Sequence, residues 1–124
     1  MSSRQQEIGD EGERLAAAYL ERHGWKILGR KVRYRVGELD IVAAKADLLA
    51  FVEVKNYSES SYHDALDALT PVKIKKIIAA ARHFLFENDV AESVQIRFDV
   101  VTIDRSRAGA VAINHIEDAF EWDR

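Results

Sequence analysis

A chain of 124 residues and 14.1 kDa has the length for one hydrophobic core and not for two. With 48% apolar and 31% charged residues it has the make-up of a folded globular protein rather than a disordered one. The lack of cysteine excludes disulfides, thiol nucleophiles, iron–sulfur clusters and cysteine-ligated zinc, and a net charge of −3 argues against a general nucleic-acid coat.

No apolar run approaches the roughly 18 residues of a membrane helix, and the opening Met1-Ser2-Ser3-Arg4-Gln5-Gln6 does not read as a signal peptide. A cytoplasmic protein with no membrane partner is expected. Repeats, low-complexity tracts and Pro/Gly/Ser-rich linkers are missing, so residues 1–124 are expected to form a single domain.

Ser3 and Gln6 have capping-box spacing for a first helix reaching about His23, with Ile8, Leu15, Ala16, Tyr19 and Leu20 at helical intervals. Gly24 stands where a helix ends on a glycine. Lys26–Arg30 and Val32–Tyr34 are weak strand signals. Gly37–Lys45 and Leu48–Lys55 are strong ones, separated only by Ala46-Asp47, and read as a hairpin. Asn56–Ser61 reads as loop and Asp64–Leu69 as a short helical piece. Thr70-Pro71 is an N-cap followed by proline at the first helical position. The helix after it carries Ile74, Ile77, Ile78, Ala81, Phe84 and Leu85 on one stripe, leaving its lysines largely on the other side. Val94, Ile96, Phe98 and Val100 alternate as a strand, a turn falls at Asp104–Gly109, and Ala110–His115 reads as a last strand before a tail ending near Trp122. The order implies an α/β fold with a mixed sheet flanked by helices.

Half of the 18 basic residues fall in two acid-free stretches, Lys26, Arg30, Lys31, Arg33, Arg35 and then Lys73, Lys75, Lys76, Arg82. They are either solvated faces or two local sites for a polyanion on an otherwise acidic surface.

The chemistry concentrates in the central hairpin. Strand alternation puts Glu38 and Asp40 on one face with Leu39 and Ile41 on the other, and Glu53 and Lys55 on one face with Val52 and Val54 opposite. A strand beginning Leu-Leu-Ala-Phe-Val should be buried, and ending it in charge costs several kcal/mol unless the charges are paired or hold a cation. If Asp40 lies beside Glu53, two carboxylates converge as Mg²⁺ requires, with Lys55 in reach of a bound water or phosphate. The same spacing also fits a Glu53–Lys55 ion pair at the end of an edge strand.

Asp40 with Glu53-Val54-Lys55, and an acid on a preceding helix, resembles the PD-(D/E)xK nuclease superfamily. More narrowly the chain resembles the YraN-like family of small bacterial proteins, whose nearest enzymatic relatives are the archaeal Holliday-junction resolvases. Blocks in family order run through Gly9-x-x-Gly12-Glu13-x-x-Ala16, Gly24-Trp25-Lys26-Ile27-Leu28, Gly37-Glu38-Leu39-Asp40-Ile41-Val42-Ala43 and Phe51-Val52-Glu53-Val54-Lys55. Leu69-Thr70-Pro71-Val72-Lys73, Arg97-Phe98-Asp99-Val100 and His115-Ile116-Glu117-Asp118-Ala119-Phe120 follow.

The resemblance implies a restriction endonuclease-like three-layer α/β/α core on a mostly five-stranded mixed sheet. It implies a Mg²⁺- or Mn²⁺-dependent endonuclease hydrolysing phosphodiesters of DNA, before RNA, with branched or single-stranded substrates in view. Asp40 and Glu53 would bind the metal, joined by the Val54 carbonyl. Lys55 would orient the attacking water, and Glu13 would act as an outer or second-metal ligand. Glu38 and Lys73 flank the site, and Arg30, Lys31, Arg33, Arg35, Lys73 and Lys76 are the expected nucleic-acid contacts. A homodimer would suit a two-fold branched substrate, and the resolvase relatives pair.

The chain departs from the family pattern at Lys31, where asparagine is usual, and at Asn56-Tyr57, where threonine–arginine is usual. No loop glycine stands near Tyr62-His63, and Leu39 replaces the superfamily proline. Two other function classes stay open: a catalytically weak nucleic-acid-binding module on a nuclease scaffold, and a protein-interaction domain.

His23, His63, His83 and His115 lack zinc-binding spacing, Ser58, Ser60 and Ser61 lack a nucleophile elbow, and no phosphate-binding glycine loop occurs. Asp99 reads as a structural carboxylate paired with Arg97 or with a residue of the first helix. Tyr34, Tyr57 and Tyr62 are placed to pack or to stack on unpaired bases.

Overall fold

The computed structural model describes residues 4–58, 69–106 and 108–123. Helix α1 (Arg4–Arg22) leads into strands β1 (Lys26–Tyr34), β2 (Gly37–Lys45) and β3 (Leu48–Ser58). Helix α2 (Pro71–Glu87) precedes β4 (Gln95–Arg105) and β5 (Val111–Ile116). The strands lie in the order β1-β2-β3-β4-β5, antiparallel except for the parallel pair β3–β4. A parallel pair needs a crossover, and α2 lies on it.

The helix ends follow local chemistry. Gly24 adopts φ 89°, its N–H donates to the Glu21 carbonyl, and the Trp25 N–H donates to the Leu20 carbonyl. These two bonds close α1 as a Schellman turn. At α2 the Thr70 hydroxyl accepts the Lys73 N–H at 3.2 Å, with Pro71 in the first turn.

The helices cover opposite faces of the sheet. Ala16, Ala17 and Leu20 of α1 pack on Ile41, Ala43, Ala50, Val52, Val101 and Ile103. Ile77, Ala80, Ala81, Phe84 and Leu85 of α2 pack on Leu39, Val42, Leu49, Phe51 and Phe98. Each large side chain so buried contributes about 1.5–3 kcal/mol, and the chain forms the expected three layers around a five-stranded mixed sheet. No helix among the described residues is long and apolar enough to cross a membrane.

Four expectations change. The two weak strands are one, β1, with a register shift between Ile27 and Gly29 and a positive φ at Lys31. Strand β3 runs on through Asn56, Tyr57 and Ser58, because β4 keeps pairing with it as far as Ser58↔Arg105. It is central in the sheet, so Glu53 and Lys55 do not end an edge strand. Leu39 and Ile41 do not share a face. Leu39 packs with Val42 on the α2 side, while Ile41 packs with Ala43 on the α1 side. The partner strand switches at the same level, since Arg30 reaches Glu13 of α1 whereas Val32 packs in the α2 cluster. The β1–β2 ribbon therefore reverses its faces at Lys31 and Asp40. The expected Ser3 cap and, apart from Leu69, the helical piece over Asp64–Leu69 lie outside the described residues.

The chain after β5 folds back over the α2 face. Phe120 stacks on Phe98 with ring centres 4.9 Å apart, Trp122 meets Phe98 edge-on, and the Arg82 guanidinium lies over Trp122. On the α1 face Asp99 is fully buried. It accepts two bonds from Arg97 at 2.8 and 2.9 Å, a contact from His115 Nε2 at 2.7 Å and the Asp118 N–H at 3.0 Å. The expected Arg97 partnership is borne out. Burial would raise the Asp99 pKa, but the bonds from His115, Arg97 and Asp118 outweigh it and hold the carboxyl below its usual value.

A carboxylate held down in this way stabilises the fold above its unfolded pKa near 3.8, and that contribution is lost as pH falls through the folded value. Asp99→Asn is expected to cost about 3–5 kcal/mol at pH 7 by leaving Arg97 under-paired. Urea unfolding at pH 7 and pH 3 should show this penalty shrinking at the lower pH.

Candidate functional site

The β2–β3 ladder stops at Ile41↔Val52, whereas β3–β4 pairing continues six residues further along β3, to Ser58. Below that point β2 leaves β3, and side chains take over the freed backbone groups. The Val54 N–H donates to Asp40 Oδ2 at 2.8 Å, and the Asp40 N–H donates to Glu53 Oε2 at 3.4 Å. The two carboxylates thus cross the split toward each other's strand, as the pairing of Asp40 beside Glu53 requires.

They open into a cleft of about 280 Å³ on the α2 side. Asp40, Glu53, Lys55 and Glu38 line it from the sheet, and Lys73, Lys76 and Ile77 line it from α2. Gly37 lets the β1–β2 hairpin close on α2: a Cβ there would stand 2.5 Å from the Lys76 carbonyl oxygen. No sequence signal pointed to that contact.

Glu13, Arg30 and Lys31 lie elsewhere. Glu13 is buried on α1, 3.6 Å from Arg30, with Oε1 lacking a hydrogen-bond partner. Lys31 pairs with Asp10 of α1. Arg33 pairs with Glu38 at 3.4 Å near the hairpin tip. The expected nucleic-acid contacts are thereby divided. Arg30 and Lys31 are held by α1 acids, while Lys73, Lys76, Arg33 and Arg35 border the α2 side. Among the described residues Glu53 and Lys55 form no ion pair within 4 Å, so the alternative of a simple pair is not what the chain builds.

Burial, and then the Asp40 charge, push Glu53 up to about 8 against the pull of Lys55. Burial also raises Asp40, opposed by the Val54 N–H and Lys55. Glu13 is raised by burial and next by Asp40, which places it within the field of the site although it does not line the cleft. Burial raises both, and two like carboxylates in low dielectric each disfavour ionisation of the other.

The chemistry of this donor set fits a small divalent cation. Among the described residues no three histidine, aspartate or glutamate side chains converge as a protein-only cage. Mg²⁺ does not need one: one or two carboxylates, a carbonyl and several waters complete its shell. The larger cavity, about 480 Å³, is lined by Leu28, Leu48, Leu49, Phe84, Val90 and Val94 and holds none of these acids.

The residues that form the cleft all fall within the part of the chain, residues 12–103, that matches the model of "Uncharacterised protein family UPF0102". The chain belongs to the UPF0102 family. A UPF0102 protein of Chlorobium phaeobacteroides is 39% identical over 126 residues, covering 98% of each chain. One of Desulforapulum autotrophicum is 40% identical, covering 99% of this chain and all of its own. One of Granulibacter bethesdensis is 43% identical over 93% of this chain and 69% of its own. The YraN-like resemblance is borne out. In this UPF0102 chain the acids and the cleft lysines come from three elements, β2, β3 and α2, within the matched span.

Glu53 binds its proton more tightly folded than unfolded, so folding takes up a proton between about pH 4.5 and 8 and stability falls as pH rises through that window. The metal-free protein is expected to lose on the order of a few kcal/mol there. Glu53→Gln should flatten the profile and stabilise the fold at pH 8, as read by denaturant midpoints in EDTA.

Proposed function

We propose that this UPF0102 protein is a Mg²⁺-dependent nuclease that hydrolyses phosphodiester bonds of DNA, on the PD-(D/E)xK plan. The observation that carries the reading is the pair of carboxylates, Asp40 and Glu53, crossing the β2–β3 split into a cleft that also holds Lys55, Lys73 and Lys76. A buried acid such as Glu53, with half-buried Asp40 beside it, is costly unless a cation joins them.

In this reading Asp40, Glu53 and the Val54 carbonyl hold the ion. The ion, when bound, lowers the pKa of a water and polarises the phosphoryl oxygen. Lys55, which lines the same cleft, orients the attacking water and offsets charge on the phosphate. Lys73 and Lys76 draw the phosphate in from α2. Glu13 stands behind Asp40, tuning its charge or serving as an outer ligand. Mn²⁺ would take the same oxygen donors.

One observation favours a second reading, a nucleic-acid-binding module with little turnover: Glu13 is turned to Arg30 and Glu38 to Arg33, which leaves Asp40 and Glu53 as the cleft acids without an ion-pair partner among the described residues. Cleavage of single-stranded, duplex and four-way-junction DNA with Mg²⁺ or Mn²⁺ tests both. Metal-dependent products are expected, reduced roughly a hundredfold or more by Asp40→Asn or Lys55→Ala. Cleavage unchanged in Asp40→Asn would sink the assignment, and salt-sensitive binding without turnover would favour the module.

A further inference from the structure

The hairpin between β1 and β2 forms a further cavity that Asp40, Glu53 and Lys55 do not line. It measures about 320 Å³ and is walled by Arg33, Tyr34, Arg35, Val36 and Lys76. It shares Gly37, Glu38 and Lys76 with the acidic cleft, so the two run into one another.

Its walls are of two kinds. Tyr34 is fixed in place: its ring stacks on His83 of α2 at 4.1 Å, with the Glu87 carboxylate acting on its hydroxyl. Val36, 47% exposed at the tip of the hairpin, adds an aliphatic surface. Beside these stand two cations, Arg35 and Lys76, neither with an acidic partner within 4 Å among the described residues. Arg33 by contrast is held by Glu38.

An apolar wall with a held aromatic ring, next to free cations, matches one ligand chemistry: a nucleobase with its phosphate. The volume is at the lower end of pockets that hold small ligands. A base entering such a pocket must leave its pairing partner, because duplex stacking would keep it out. The rest of the chain is acidic, so affinity concentrates here rather than along a broad surface.

We propose that this cavity binds an unpaired nucleotide adjacent to the scissile phosphate, with Tyr34 and Val36 against the base and Arg35 and Lys76 on its phosphate. The substrate class is then a strand with at least one unpaired nucleotide beside the cut. This rests on the nuclease reading for the word scissile, but the binding itself needs neither metal nor cleavage.

The full chain carrying Asp40→Asn, in EDTA, keeps the DNA intact while binding is read by fluorescence anisotropy. A labelled twelve-nucleotide single strand is expected to bind roughly tenfold more tightly than the same sequence in a blunt duplex. Thymidine 5′-monophosphate should compete at concentrations where inorganic phosphate does not. Val36→Ser should weaken single-strand binding several-fold without changing its salt dependence. Arg35→Ser should lower the slope of log affinity against log salt by about one contact. Both positions are exposed, and unchanged unfolding midpoints would show that the variants fold.

Equal affinity for single strand and duplex, or an effect of Arg35→Ser with none of Val36→Ser, would overturn the proposal and leave only a phosphate patch. If the binding results hold while wild-type protein with Mg²⁺ cuts nothing, the nucleotide site stands and the nuclease reading fails. Cleavage without single-strand preference gives the reverse.

Discussion

The chemistry of this protein depends on where one ladder of hydrogen bonds stops. β2 and β3 pair only as far as Ile41↔Val52, and the next backbone groups are met by the Asp40 and Glu53 side chains instead of by each other. A continuous ladder would have left both carboxylates standing on a packed face, where nothing could compensate their charge. The split gives each a backbone N–H and gives both an opening to solvent. Strand β4 stays paired to β3 beyond this point, so the split widens on one side only and β3 remains a rigid support for Glu53 and Lys55.

The same sheet carries two buried acidic positions with opposite proton behaviour. Asp99 has Arg97, His115 and the Asp118 N–H around it and is held ionised. Glu53 has the charge of Asp40 for a neighbour and retains its proton into the neutral range. Complete pairing marks a group whose charge serves the fold, here tying β4 to β5 and to the chain beyond it. Glu53, incompletely paired in an open cleft, is the group that the proposed cation would engage.

The two helices also divide the basic residues. On one side α1 presents Asp10 and Glu13, which take up Lys31 and Arg30. On the other α2 brings Lys73 and Lys76 to the rim of the cleft, and the hairpin adds Arg35 next to them. A chain of net charge −3 thereby gathers positive potential beside the acids of the cleft. The contact that closes this arrangement is the approach of Gly37 to the Lys76 carbonyl, which only a residue without a side chain permits.

Most elements, both described helix ends and the faces of β3 were legible in the residues themselves. Gly24 and Thr70-Pro71 act on backbone groups within one turn, and Phe51, Glu53 and Lys55 follow a two-residue period that no distant contact needs to set. The resemblance that singled out Asp40, Glu53 and Lys55 was carried by such short blocks. What the tertiary structure decided lies at long range: the end of the β2–β3 ladder, the reversal of the β1–β2 ribbon at Lys31 and Asp40, the capture of Arg30 and Lys31 by α1, and the His115 contact to Asp99. Each is a competition between partners on different strands or helices, settled by how those elements pack together. Local periodicity carries no record of that competition, because the same alternation is satisfied whether a strand stays in its ladder or leaves it.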